Sequence, residues 1–125
     1  MEEGYELIER YIPTIETLKL VINKPIGSTY ECTLIDKKEG EWELYCFVWN
    51  KGAETVYHSH PEGGCWLQVL EGHLVEITPS TEAQFVKGSK GFQKGKEAIH
   101  KIICKEKAIS IHLYKPGRMK TLHQK

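Results

Sequence analysis

The chain has 125 residues, 40% of them hydrophobic and 27% charged, a globular balance that suits one compact domain and argues against disorder. Its 17 Lys and Arg equal its 17 Asp and Glu and form no basic block, which gives no support to nucleic acid or a membrane surface as partner. The opening Met1-Glu2-Glu3-Gly4-Tyr5-Glu6 is acidic where a signal peptide is basic, no apolar run is long enough to cross a bilayer, and Cys32, Cys46, Cys65 and Cys104 show no C-x-x-C spacing. These features predict a cytoplasmic protein with reduced thiols, although an even cysteine count leaves disulfides open.

Residues 2–10 fit one short helix with Tyr5, Leu7, Ile8 and Tyr11 as a rough apolar stripe, and Pro13 is expected to limit its extension. Pro25-Ile26-Gly27-Ser28 is a turn signal. Short extended runs follow at Tyr30–Asp36 and Trp42–Trp49, joined by Lys37-Lys38-Glu39-Gly40, and then at Thr55–His58. Cys65–Leu70 and His73–Thr78 flank Glu71-Gly72 as a second hairpin. Phe85-Val86 is a short strand before a Gly/Lys-rich loop at 87–96. Ala98–Cys104 and Ala108–Lys115 form the last pair, joined through Lys105-Glu106-Lys107. About eight short strands with close turns predict a closed or sandwiched antiparallel barrel. The expected division is a helix and leading segment at 1–27, a barrel at 28–117 and a tail at 118–125.

The most informative stretch runs Gly52, five residues, His58-Ser59-His60, four residues, Cys65, six residues, Gly72. Histidines at i and i+2 of an extended strand point to one face, and two imidazoles on one face can grip a transition metal. An isolated H-x-H is as readily a pair of solvated histidines, but the glycines stand where a barrel strand must bend or turn. Later, Ser110, His112 and Tyr114 share one strand parity. They either line a polar pocket or form a solvated outer face with Ile111 and Leu113 turned to the core. Periodicity leaves both arrangements open.

The glycine-framed H-x-H resembles the first motif of the cupin superfamily, with Cys65 in the place of the motif's acid. Without that acid a third histidine is the natural remaining ligand, and His100, in Ala98-Ile99-His100-Lys101-Ile102, is the best candidate. The chain looks like a cysteine dioxygenase, the thiol dioxygenase branch of the cupins. His58, His60, Cys65, His100 and the run Ser110-x-His112-Leu113-Tyr114 occur in that family's order over roughly residues 28–117, and Trp49 and Tyr30 also fit. The resemblance implies an all-β cupin (double-stranded β-helix, jelly-roll) barrel with a short N-terminal helix. It implies non-haem Fe(II) on the three histidines, although Zn or Ni also suits three imidazoles. It further implies a thioether crosslink between Cys65 and Tyr114, a Tyr114 hydroxyl held by His112, and Ser110, His112, Tyr114 and Cys65 as the catalytic group. The implied reaction adds both atoms of O₂ to a small, cysteine-like thiol and gives its sulfinic acid.

The family's substrate-carboxylate arginine lies two residues after the tyrosine matched by Tyr30, and here that position is Cys32. A thiol cannot give the bidentate grip of a guanidinium. Tyr30, Cys32, His112, Tyr114 and Arg118, which closely follows the last strand, are the candidate substrate contacts. Two alternatives follow: a dioxygenase for a non-cysteine thiol such as mercaptopropionate or cysteamine, or a metal-binding cupin without catalysis. Cys32 is otherwise a small buried residue, Cys46 and Cys104 fill core, and His73 and His123 read as solvated.

Overall fold

A computed structural model describes residues 2–18, 22, 24–60, 63–95 and 99–116. Among them are one helix, α1 (Glu2–Leu18), and six strands: β1 (Tyr30–Lys38), β2 (Trp42–Trp49), β3 (Gly64–Ile77), β4 (Glu82–Val86), β5 (Lys90–Gln93) and β6 (Lys101–Lys115). All pairings are antiparallel, in the order β1-β2-β6-β3-β4, with β5 also on β3. The all-β architecture behind one leading helix is the one expected.

The helix runs past its expected end, with Pro13 inside it. Proline removes a backbone hydrogen bond and costs about 3 kcal/mol within a helix. Beyond it, however, Ile15 is fully buried and Ile12 and Leu18 pack against the same cluster. Burying one such side chain contributes about 1.5–3 kcal/mol, so the last turn is held by packing. The Thr17 hydroxyl donates to the Pro13 carbonyl at 3.1 Å.

Two expected hairpins are instead two long, bent strands. β3 runs straight through Glu71-Gly72 and β6 through Lys105-Glu106-Lys107, and the two pair with each other along nearly their whole length. The register slips between Val69 and Leu74, where β3 bulges. Gly72 (φ 88°) allows it: a Cβ there would lie 2.1 Å from the Lys107 carbonyl oxygen. The expected Gly/Lys loop at 87–96 contains β5, which sets Gln93 opposite Cys65. The expected strand Thr55–His58 is not continuous. Residues 52–58 follow β6 antiparallel through isolated bridges at Glu54↔Ile103 and His58↔His100. One rung goes to a side chain, since Ile102 N–H donates to Thr55 Oγ1 at 3.0 Å. Ala98, the expected start of the last pair, lies outside the described residues.

The sheet is buried on both faces along the second half of β2 and residues 110–114 of β6. On β2, Leu44, Cys46 and Val48 meet α1 through Ile8 and Ile15, while Phe47 and Trp49 turn to the inner cluster. On β6, Ile111 and Leu113 join the helix side, and Ala108 and Tyr114 point inward. The two arrangements left open for Ser110, His112 and Tyr114 thus collapse into one. The helix covers the apolar outer face, and the polar positions face the barrel interior. No disulfide joins the four cysteines.

Candidate metal centre and its cleft

His58 and His100 sit opposite each other, and their backbones exchange two hydrogen bonds of 3.0 and 3.1 Å. His60, two residues on, is held by its N–H to the Gly95 carbonyl at 3.2 Å. The backbone therefore delivers three imidazoles to one point. His58 Nε2 and His60 Nε2 each lie 3.0 Å from His100 Nε2, and one nitrogen from each ring lies within 4.8 Å of the others.

The outward nitrogens define the tautomers. His58 Nδ1 donates to the Val56 carbonyl at 2.9 Å, and His100 Nδ1 to Glu76 Oε2 at 2.7 Å. Both of these rings then turn an Nε2 lone pair toward the shared centre. The lone pairs of His58 and His100, 3.0 Å apart, repel one another unless a cation sits between them, and nitrogens about 2.0–2.1 Å from one ion stand about 3 Å apart at neighbouring positions, the spacing that His60 Nε2 also keeps from His100 Nε2. The donor set fits a divalent transition metal.

Glu76 was not foreseen as a site residue. It is buried, accepts from both His100 Nδ1 and Gln93 Nε2 (2.8 Å) on one oxygen, and lines the cleft. The hydrogen bond from His100 holds its carboxyl below the usual carboxylate range, against the upward push of burial. Strict alternation from Cys65 would place position 76 on the opposite face. The bulge at Gly72 inverts the parity, so Leu74 and Glu76 turn to the interior like Cys65, Leu67 and Val69 before it. No signal local to Glu76 announces this.

The histidines open onto a cleft of about 640 Å³, a figure that includes space open to solvent. Tyr30, Phe47, Trp49, Leu67 and Ile102 supply its apolar wall. Cys65 and Tyr114 are direct cross-strand partners, and a side-chain hydrogen bond with Tyr114 works to lower the Cys65 pKa. Burial nevertheless pushes the Cys65 thiol up to about 12, so it is protonated at neutral pH. His112 also lines the cleft and lies over Phe47, with ring centroids 4.1 Å apart. Ser110 stands behind it, fully buried. The Trp49 indole N–H donates to Ser110 Oγ at 2.9 Å, and that hydroxyl is hydrogen-bonded to His112 Nε2 at 2.7 Å.

The candidate substrate contacts divide. Tyr30 lines the cleft and packs on Trp49, with centroids 4.8 Å apart. Cys32 shares its face of β1 but, opposite Phe47, packs against the inner cluster without lining the cleft. Arg118 lies outside the described residues. Among the described residues no Lys or Arg lines the cleft, and Glu76 is its one carboxylate.

The family model described as cysteine dioxygenase type I matches residues 25–124, which include every residue of this site. The chain belongs to the cysteine dioxygenase family. Cysteine dioxygenase type 1 from Homo sapiens is 28% identical over 102 residues, and that from Bos taurus 24% over 106, each match covering 70% of this chain and 51% of the relative. The chain thus spans about half the length of the curated relatives it matches. Solved structures agree on the cupin fold. A conserved protein with a double-stranded β-helix domain from Klebsiella pneumoniae superposes with a TM-score of 0.69 at 17% identity, covering 82% of this chain and 90% of that one. A cupin-2 domain protein from Shewanella frigidimarina gives 0.67 at 15% identity, covering 86% and 98%. At such identities these neighbours speak to the fold alone. Within the cysteine dioxygenase family, the three-histidine cluster is the feature that points to a metal cofactor.

Proposed function

We propose that the protein is a thiol dioxygenase that uses Fe(II) and O₂ to convert a small thiol into its sulfinic acid. The observation that carries this reading is the convergence of His58, His60 and His100 beside the Cys65–Tyr114 pair in one cleft, in a chain of this family. The reaction balances without a further reductant. Both oxygen atoms add to sulfur, which loses four electrons, and O₂ gains four.

His58, His60 and His100 would hold the metal, which would supply the redox chemistry that joins thiol and O₂. The chain's own residues do the rest. The rings of Tyr30, Phe47 and Trp49 exclude water from one side of the cleft. Tyr114 presents a hydroxyl proton at the cleft wall, and its ring lies near parallel to that of His112, with centroids 6.3 Å apart. The Trp49–Ser110–His112 chain of hydrogen bonds keeps that imidazole from rotating. Joining Cys65 Sγ to the Tyr114 ring would remove the freedom that the phenol retains. This bond replaces the S–H and a ring C–H, releasing two protons and two electrons that reduce O₂ to hydrogen peroxide. Protein expressed aerobically with iron is expected to show an intact mass lower by two hydrogens, and Cys65→Ser the full mass. An unshifted mass in iron-loaded wild type would count against the crosslink.

The lining favours a second reading of the substrate. A carboxylate taken into this cleft would meet aromatic rings and the Glu76 charge, and an unpaired buried carboxylate costs several kcal/mol. A thiol without a carboxylate, such as cysteamine, avoids that cost, whereas cysteine and mercaptopropionate need a cation from elsewhere, with Arg118 the candidate. Oxygen uptake and sulfinate formation, measured for the three thiols with Fe(II), test both readings. The expected order puts cysteamine first in kcat/KM. Preference for the two acids, lost in Arg118→Ala, would assign the carboxylate contact to Arg118. Absence of uptake with any thiol would favour a metal-binding module without catalysis.

A further inference from the structure

We propose that Glu76 is the positioning residue of the three-histidine centre. Its carboxylate aims His100 and supplies, through that ring, the negative charge missing from the metal's direct ligands. The inference rests on the histidines being a metal seat.

Three neutral imidazoles carry no charge to offset a dication, and the place of the H-x-H frame's acid is taken by Cys65, which brings no negative charge either as a buried thiol or as a thioether. Glu76 reaches the same centre by another route. Its Oε2 stands 2.7 Å from His100 Nδ1, and the His100 Nε2 is the atom both other histidines face at 3.0 Å. The second hydrogen bond to that oxygen, from Gln93 at 2.8 Å, comes from β5 and keeps the carboxylate from turning away. A carboxylate accepting from the outer nitrogen of a ligating histidine fixes its tautomer, raises its basicity and adds charge to the site.

Packing alone does not ask for an acid here. Leu74 and Val75 beside it are buried aliphatics, and Ile102 is its cross-strand partner. A buried ion pair is commonly no more stabilising than a well-packed apolar residue of similar volume. The structure spends a bulge at Gly72 that turns position 76 inward, and the side chain turned inward is a carboxylate bonded to the ring at the middle of the triad.

The test compares full-length wild type, Glu76→Gln and Glu76→Ala for binding of Co(II), and of Fe(II) under anaerobic conditions, by competition with a chromophoric chelator. The Co(II) visible spectrum and the gain in Tm on adding metal serve as further readouts. Glu76→Gln keeps shape and an acceptor but not charge; Glu76→Ala loses both. The expected result is metal affinity weakened about 10- to 100-fold in Gln and further in Ala, an altered Co(II) spectrum, and a smaller metal-induced rise in Tm. A residue that merely filled the core would lower the Tm of the metal-free protein and leave affinity and spectrum unchanged. Wild-type affinity and spectrum in Glu76→Gln, beside a wild type that binds metal, would overturn the role of Glu76 alone. If Glu76→Ala does not fold, the isosteric Gln variant decides. A wild type that binds neither ion would overturn the metal seat and this inference with it.

Discussion

Replacing His100 by Ala should leave the protein without measurable stoichiometric iron. His100 Nε2 is the nitrogen shared by both 3.0 Å pairs, so its loss leaves His58 and His60 alone to bind. The backbone pairing with His58 uses only the N–H and C=O of residue 100, and alanine keeps both. The variant should therefore fold with the other two ligands in place. It should also be less stable without metal, because Glu76 would keep its Gln93 partner but lose the one that most lowers its pKa. An underpaired buried carboxylate costs about 1–3 kcal/mol or more. Metal analysis of anaerobically loaded protein and urea unfolding of the metal-free form check the two effects. His73→Ala is the control: this histidine, on β3, bonds Gln84 and does not line the cleft. Full iron content in His100→Ala would show that the third ligand is misassigned.

The largest effect on folding is expected at Gly72. Alanine there would place a Cβ 2.1 Å from the Lys107 carbonyl oxygen and 2.6 Å from the Ala108 Cα, both backbone atoms of the strand it must pair with. Its φ of 88° is costly for any residue with a Cβ. Gly88 separates the two costs, since its φ is 89° and a Cβ would meet nothing within 4 Å. Gly88→Ala should lose about 1–2 kcal/mol from backbone strain. Gly72→Ala should lose that and about 1–3 kcal/mol more from overlap, a large share of the 5–15 kcal/mol by which domains are typically stable. Urea unfolding of both variants measures the difference. Equal losses would show that the bulge relaxes without cost. The surviving folded fraction should bind metal more weakly as well, because the bulge sets the side on which Glu76 emerges.

Where the chain chemistry is local, the sequence was readable. The hydrophobic runs marked β1 and β2 to within a residue or two, and the spacing from Gly52 to Gly72 singled out His58 and His60. Pro13 misled because a cost of about 3 kcal/mol, visible in sequence, is opposed by burial of Ile15 against strands far along the chain. Glu71-Gly72 and Lys105-Glu106-Lys107 misled in another way. Both carry turn chemistry, but the two segments lie against each other, and the ladder of β3 on β6 supplies the backbone partners that a hairpin would have closed locally.

The sequence by itself determined the family, the histidines that make up the cluster and the alternation that puts Ser110, His112 and Tyr114 on one face. Which way that face points was decided only when α1 covered Ile111 and Leu113, leaving the polar positions to the interior. The role open to Glu76 was likewise decided only in three dimensions. Alternation along a strand is a property of neighbouring residues, whereas a bulge exists only in the pairing of two distant segments, and it is the bulge that turns the carboxylate toward His100.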